Sequence, residues 1–166
     1  MGATDVGLER VIRDHGEMIA RVARGYVDDP HDIDDLWQEI LVALWRALPR
    51  FRGESSERTF VLRVAHNRGI TYSISRRRSE PLLEPEQLPD PAPLAETRVI
   101  TEQRRERLFE AVRRLPELQR QAVMLQLEGL SGREIAEMQG TTETNVGVRL
   151  TRARKALREM LAEDDL

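Results

Sequence analysis

Residues 129–157 read GLSGREIAEMQGTTETNVGVRLTRARKAL, and this stretch decides the fold. Ser131 stands where it caps a first helix, and Glu134 three residues on completes a capping box. Ile135 and Met138 supply that helix with an apolar stripe. Gly140 then breaks it, and Thr142 or Thr144 caps the next helix. In the second helix Val146, Leu150, Ala153 and Leu157 recur at steps of four, three and four, so they form one inward face. The opposite faces carry Asn145, Val148, Arg149, Thr151, Arg152, Arg154, Lys155 and Arg158. A short helix, a glycine turn and a second helix that is cationic outward is the geometry that places side chains in a DNA major groove.

Working outward, the periodicity predicts helices over 98–115 and 117–127, with Pro116 restarting the chain between them. The N-terminal part reads as three more. The first covers roughly 6–27 with Leu8, Ile12, Ile19, Val22, Ala23 and Tyr26 apolar. Turn and cap residues at 28–35, DDPHDIDD, precede a second at 36–48 that carries Leu36, Ile40, Leu44 and Leu48 on one face. A third covers 57–75 and ends in Arg76, Arg77 and Arg78. No stretch alternates as a strand does, so the expected class is all-α. Between the two helical groups, SEPLLEPEQLPDPAPLAET holds Pro81, Pro85, Pro89, Pro91 and Pro93, five of the eight prolines in the chain. Proline removes donors and disfavours helix in the residue before it. The expected organisation is therefore a domain over 1–78, a flexible acidic linker over 79–101 and a domain with the helix-turn-helix over 102–166.

The net charge of −3 looks wrong for a nucleic-acid binder until it is divided along the chain. Residues 1–78 hold 13 basic and 12 acidic side chains, residues 79–101 one and five, and residues 102–166 twelve of each. Yet 149–158 has five basic residues and no acidic one. A local patch, rather than the total, governs phosphate contact. The absence of cysteine excludes disulfides and Cys-ligated zinc. No apolar run approaches the ~18 residues of a membrane span, and MGATDVGLER lacks a secretory core, so a cytoplasmic location is expected. Asp28, Asp29, His31, Asp32, Asp34 and Asp35 cluster, but a metal-dependent hydrolase needs ligands converging from other elements. His15 and His66 stand in unrelated helices, and there is neither a phosphate-binding glycine loop nor a nucleophile elbow. The cluster reads as a turn and helix cap, with no catalytic residue, metal or cofactor expected.

Two blocks carry a resemblance to a known family. DIDDLWQEILVALWRALPRFRGESSERTFVLRVAHNRGI at 32–70 resembles a D-x-x-D-L-x-Q-E-x-F-x-x-x-W-x-x-L-x-x-F segment followed by T-W-L-x-x-I-A-x-N. RLPELQRQAVMLQLEGLSGREIAE, followed by NVGVRLTRARKAL, is similar to L-P-x-x-x-R-x-x-x-x-L-x-x-x-x-G-x-S-x-x-E-I-A. Together the blocks resemble the extracytoplasmic-function (ECF) sigma factors of bacterial RNA polymerase, in the sigma-70 family. The helix-turn-helix alone is shared by many repressors.

The resemblance implies a task for each part. Asp34, Asp35, Leu36, Gln38 and Glu39 match the motif that docks on a basic coiled-coil of the large polymerase subunit, whose flap is expected to meet the second domain. Trp37 falls near that interface, whereas Trp45 is expected in the core. Phe51, Arg52, Thr59, Phe60, Arg63, Asn67, Arg68 and Tyr72 match the segment that captures and melts the −10 element, with Asn67 at the position that reads a flipped base. Phe60 replaces the usual Trp and offers no indole donor. Arg76, Arg77 and Arg78 would track phosphates. In the second domain, Val148, Thr151 and Arg152 are the base-edge candidates for the −35 element, and Arg149, Arg154 and Lys155 the phosphate candidates, with Thr142, Thr144 and Asn145 at the helix start. Gly147 replaces a polar or basic residue, either for close approach of the helix backbone to DNA or by drift. The acidic linker, with Glu80, Glu84, Glu86 and Asp90, would thread the polymerase cleft and RNA path. Core polymerase, promoter DNA and an anti-sigma protein are the implied partners. The competing readings are a stand-alone helix-turn-helix regulator dimerising on a palindrome and a protein-interaction scaffold.

Overall fold

The apolar periodicity of 6–27 and 36–48 closes into a three-helix group in the structure, a computed structural model that describes residues 3–79 and 96–163. This group comprises α1 (Ala3–Arg24), α2 (Pro30–Ala47) and α3 (Glu57–Ser79), with a 3₁₀ turn at Leu48–Arg50. The second group comprises α4 (Glu96–Arg113), α5 (Glu117–Leu127), α6 (Gly132–Gln139) and α7 (Glu143–Glu163). Among the described residues there is no strand. The proline-rich stretch and its acidic side chains lie outside the described residues.

Helix α2 begins six residues before the apolar stripe does. Asp29 caps it, accepting from the backbone N–H groups of His31 (2.8 Å) and Asp32 (3.4 Å), and Pro30 supplies a first-turn residue with φ already set. The DDPHDIDD segment is thus the start of a helix rather than a turn before one. Val11, Ile19, Val22, Leu36, Ile40, Leu44, Val61, Leu62 and Ala65 form the core of the first group. In the second, Leu115, Ala122, Leu125, Ile135, Val146, Leu150, Ala153 and Leu157 close around α7. The inward face expected of the last helix is the buried one.

Helix α1 stops at Arg24, earlier than its apolar content implies, because the chain turns at Gly25 and inserts Tyr26 and Val27 as buried loop residues. The Tyr26 ring lies on Gly69 of α3, where a Cβ would stand 2.5 Å from a ring carbon. Its hydroxyl pairs with His66 Nδ1 at 2.8 Å. His66 is 0% exposed, and its Nε2 has no partner among the described residues. Burial pushes this imidazole from 6.5 down to about 3, since charge is disfavoured in the interior.

The unfolded chain therefore takes up a proton near pH 6.5 while the folded chain stays neutral there to about pH 3. Stability is full above pH 6.5 and falls below it, by about 1.4 kcal/mol per unit. Urea unfolding at pH 6.5 and pH 5 is expected to show a loss of about 2 kcal/mol from this residue. In His66→Leu that share of the pH dependence disappears; the same slope in both proteins would contradict a buried neutral imidazole.

Candidate nucleic-acid interface

The helix-turn-helix is built from short-range chemistry. Ser131 Oγ accepts from Glu134 N, and Glu134 Oε2 accepts from Ser131 N at 2.8 Å, so the capping box is complete. The Ser131 hydroxyl also donates to Oε2 (2.9 Å), and these two bonds from the Ser131 backbone and side chain lower the pKa of Glu134. Gly140 ends α6 in the left-handed region at φ 62°, where a side chain is strained. Of the two threonines available, Thr142 caps α7, its Oγ1 accepting from Asn145 N at 3.2 Å. Asn145 spends its side-chain amide on Thr141 (3.1 Å).

The exposed surface of α7 divides into tethered and projecting side chains. Arg149 donates to Gln139 Oε1 at 2.6 Å, and Arg154 to Gln126 Oε1 at 2.8 Å. Thr151 bonds back to the Gly147 carbonyl, and Lys155 stands 3.9 Å from Glu159. Thr144, Val148 and Arg152 are exposed, and no hydrogen bond holds Arg152 among the described residues. Gln139 also donates to the Leu118 carbonyl (2.9 Å) and Gln121 (3.0 Å), so one amide at the end of α6 fixes α5, α6 and α7 together. Sequence reading missed Gln139 and Gln126 because an isolated glutamine has no periodic signature.

In the first group, Phe51 and Phe60 pair with centroids 4.7 Å apart and planes tilted by 35°. With Pro49, Arg50, Arg52 and Arg63 they line an open recess of about 590 Å³. Glu54 and Ser55 complete the lining, so the aromatic pair sits within a rim of three arginines and one carboxylate. Ser56 caps α3, its Oγ accepting from Thr59 N (3.0 Å) and donating to Thr59 Oγ1 (2.9 Å). Arg63 and Asn67 are exposed one turn apart, and Arg77 is exposed near the end of α3.

Three further side chains expected at DNA have partners within the protein. Tyr72 donates to Asp32 Oδ1 at 3.2 Å, and Arg76 pairs with the same carboxylate. Partial burial and the adjacent Asp32 raise the Tyr72 pKa. Arg68 stands 3.7 Å from Glu39. Asp32, read as part of an acidic turn, is in fact buried and anchors the end of α3.

On α2, Asp34, Asp35, Gln38 and Glu39 are exposed. Leu36 departs from the docking expectation: it is 0% exposed and belongs to the core, because its position faces α1 and α3 rather than the ridge. The tryptophans are also reversed. Trp45 is 47% exposed, while Trp37 packs partly buried beside Gly16. Asp35, Gln38, Val42 and Trp45 succeed one another at steps of three and four, so an acidic start and an apolar end make one continuous ridge. No group of His, Asp and Glu among the described residues is arranged to hold a metal.

Fold and surfaces together define an all-α helix-turn-helix protein with a second, aromatic and cationic surface on a separate helical group. Comparison with known proteins places it more narrowly. A match to "Sigma-70 region 2" spans residues 11–79, and a match to "Sigma-70, region 4" spans 105–157. The ECF RNA polymerase sigma-E factor of Escherichia coli strain K12 is 32% identical over 137 residues, covering 76% of this chain and 72% of the relative. The chain belongs to the ECF sigma factors of the sigma-70 family. The fold also matches CnrH, solved with the cytosolic domain of CnrY, at TM-score 0.68 and 23% identity over 96% of this chain and 90% of that one. The sigma factor RpoE, solved with the anti-sigma factor NepR from Bartonella quintana, matches at TM-score 0.70 and 20% identity over 93% and 96%.

Gly147 has nothing within 4 Å of where its Cβ would stand, so the interior of the protein does not require it. Gly147→Ala is expected to raise thermal stability by about 1 kcal/mol, the usual helix-interior difference. If the backbone of α7 approaches DNA here, the same variant weakens −35 binding while it stabilises the fold. Calorimetry and promoter binding on one preparation check both halves, and a destabilised alanine variant contradicts the open environment.

Proposed function

We infer that this chain is a dissociable promoter-specificity subunit of RNA polymerase. The observation that carries the reading is the presence, in family order on one chain, of an exposed acidic-to-apolar ridge, an aromatic recess and a cationic helix-turn-helix. A simple repressor needs only the last of these. Residues 1–78 form the domain that docks and melts, and residues 102–166 the domain that reads the −35 element. The ridge at Asp34, Asp35, Gln38 and Glu39, continued by Val42 and Trp45, meets a basic coiled-coil of the polymerase. Carboxylates supply encounter and register there, and the tryptophan supplies apolar area.

At the −10 element, the Phe51–Phe60 pair stacks a base that has left the duplex, and Asn67 offers a two-sided amide to a base edge. Arg52, Arg63 and Arg77 follow the phosphates. At the −35 element, α7 lies in the major groove. Arg152 projects and suits a guanine edge, and Val148 suits a thymine methyl. Arg149 and Arg154, braced by Gln139 and Gln126, hold fixed positions suited to phosphate and thus set register rather than sequence. The chain itself performs no bond chemistry; that belongs to the polymerase. The site of action is the cytoplasm, and no helix among the described residues is long and apolar enough to cross a membrane. The similar sigma factor RpoE was solved with the anti-sigma factor NepR, which supports an anti-sigma protein as a partner here. The acidic segment between α3 and α4 is the connector, suited by its charge to a path otherwise taken by RNA.

Core polymerase is expected to co-purify with the chain in equal stoichiometry. Asp35→Arg with Glu39→Arg is expected to weaken that association by tenfold or more, on the order expected for reversing close interfacial charges, with helicity unchanged by circular dichroism. Retention of full polymerase binding by the double variant would overturn the docking assignment. A two-fold dimer on a palindrome with no polymerase binding would favour the stand-alone regulator.

A further inference from the structure

One carboxylate of the second helical group is held by two arginines of the first. Glu128, just past the end of α5, has a side chain only 9% exposed. Arg21 of α1 grips it with two bonds, Nε to Oε1 at 2.7 Å and Nη2 to Oε2 at 3.0 Å. Arg58 of α3 donates to Oε2 at 2.9 Å and reaches the Glu128 carbonyl as well. Pairing with Glu128 raises the Arg21 pKa. A second tie runs from Arg113 of α4 to the Arg24 carbonyl at 2.9 Å.

Beneath these ties the surfaces interlock. Arg120 of α5 is 4% exposed, and its guanidinium lies over the Tyr26 ring, 5.5 Å from the centroid. It donates to the carbonyls of Arg113 (2.6 Å) and Leu115 (3.2 Å). Met124 is buried against Gly25, whose missing Cβ would stand 2.2 Å from its sulfur. A cleft of about 520 Å³ between the groups sets Arg76 and Arg77 opposite Glu110, Arg113 and Arg114.

We propose that Glu128, gripped by Arg21 and Arg58, is an intramolecular latch that holds the free chain closed and competes with its loading onto polymerase. The proposal rests on the sigma-factor reading above. A carboxylate this enclosed is stable only while both guanidiniums face it, so the contact is discrete rather than graded. In the closed form the phosphate-tracking end of α3 faces α4, and the two DNA-reading surfaces are locked in one arrangement. A sigma factor that engages polymerase and two promoter elements with both groups must give that arrangement up. Its apparent affinity is then lowered by the fraction of chain that is open.

The natural chain has no cysteine, so Glu9→Cys and Arg133→Cys give unique label positions on exposed helices of the two groups. Spin-label distances in the full chain are expected to be short and narrow for the otherwise unaltered protein, and long and broad once Glu128→Arg is added. Arg21→Glu and Arg58→Glu combined with Glu128→Arg restore opposite charges on both sides of the contact and are expected to recover the short distance, which a merely misfolded variant does not. Affinity of the unlabelled Glu128→Arg chain for core polymerase is expected to rise on the order of tenfold, with the charge-swapped variant returning toward the original value. An unchanged distance in Glu128→Arg overturns the latch. A longer distance with unchanged or weaker polymerase affinity overturns the competition. If the unaltered chain and Glu128→Arg both fail to bind polymerase, the sigma reading falls, and the distances alone still decide whether the closed form exists.

Discussion

Tyr26 sits where the end of α1 meets α3 and α5, and much of the arrangement follows from giving its ring a place. The turn at Gly25 ends α1 and delivers the ring inward. Gly69 leaves α3 flat enough to receive it, and His66 takes its hydroxyl. The other side of the ring faces the guanidinium of Arg120 from the second group. Removing a chain of buried polar groups like this one exposes the remaining members to an unpaired state, which costs more than the bonds themselves supply. The burial that sets the His66 imidazole near 3 is the same burial that fixes the relation of α1 to α3.

The first group shows how one helix serves two masters. The buried side of α2, Leu36, Ile40 and Leu44, packs on α1 and α3, while the opposite side carries the carboxylates and Trp45 outward. Asp32 at its start holds Tyr72 and Arg76 at the far end of α3, so the exposed ridge of α2 and the end of α3 share an anchor. Arg68 and Glu39 form a second bridge between the same two surfaces. The second group achieves comparable rigidity with neutral amides, Gln139 and Gln126, which leave the cationic face of α7 undiminished.

How much of this was legible depended on the range of the interaction. The capping box at Ser131, the glycine stop at Gly140 and the inward face of α7 are local and were read directly. So was α5, whose observed ends, Glu117 and Leu127, match the expected ones. The start of α2 was misplaced because the apolar stripe begins at Leu36, whereas the cap and proline that begin the helix are polar. The exchange of Trp37 and Trp45 has a related cause: period alone puts both near one face, and only the lie of α1, with Gly16 beside Trp37, decides which is covered. The partners of Tyr72, Arg76 and Arg68, namely Asp32 and Glu39, were not legible because they lie some 29 to 44 positions away. The interlock of Glu128 with Arg21 and Arg58 left no sequence signal at all, as it joins residues up to 107 positions apart.

A sigma factor that uses both surfaces together on polymerase chooses a start site that neither surface specifies alone. The decisive measurement is transcription of a randomised promoter library by purified core polymerase with and without the chain. Initiation is expected only when the chain is present, from templates that share an upstream and a downstream element at fixed spacing. Initiation unaffected by the chain, or dependent on a single palindromic element, would contradict this.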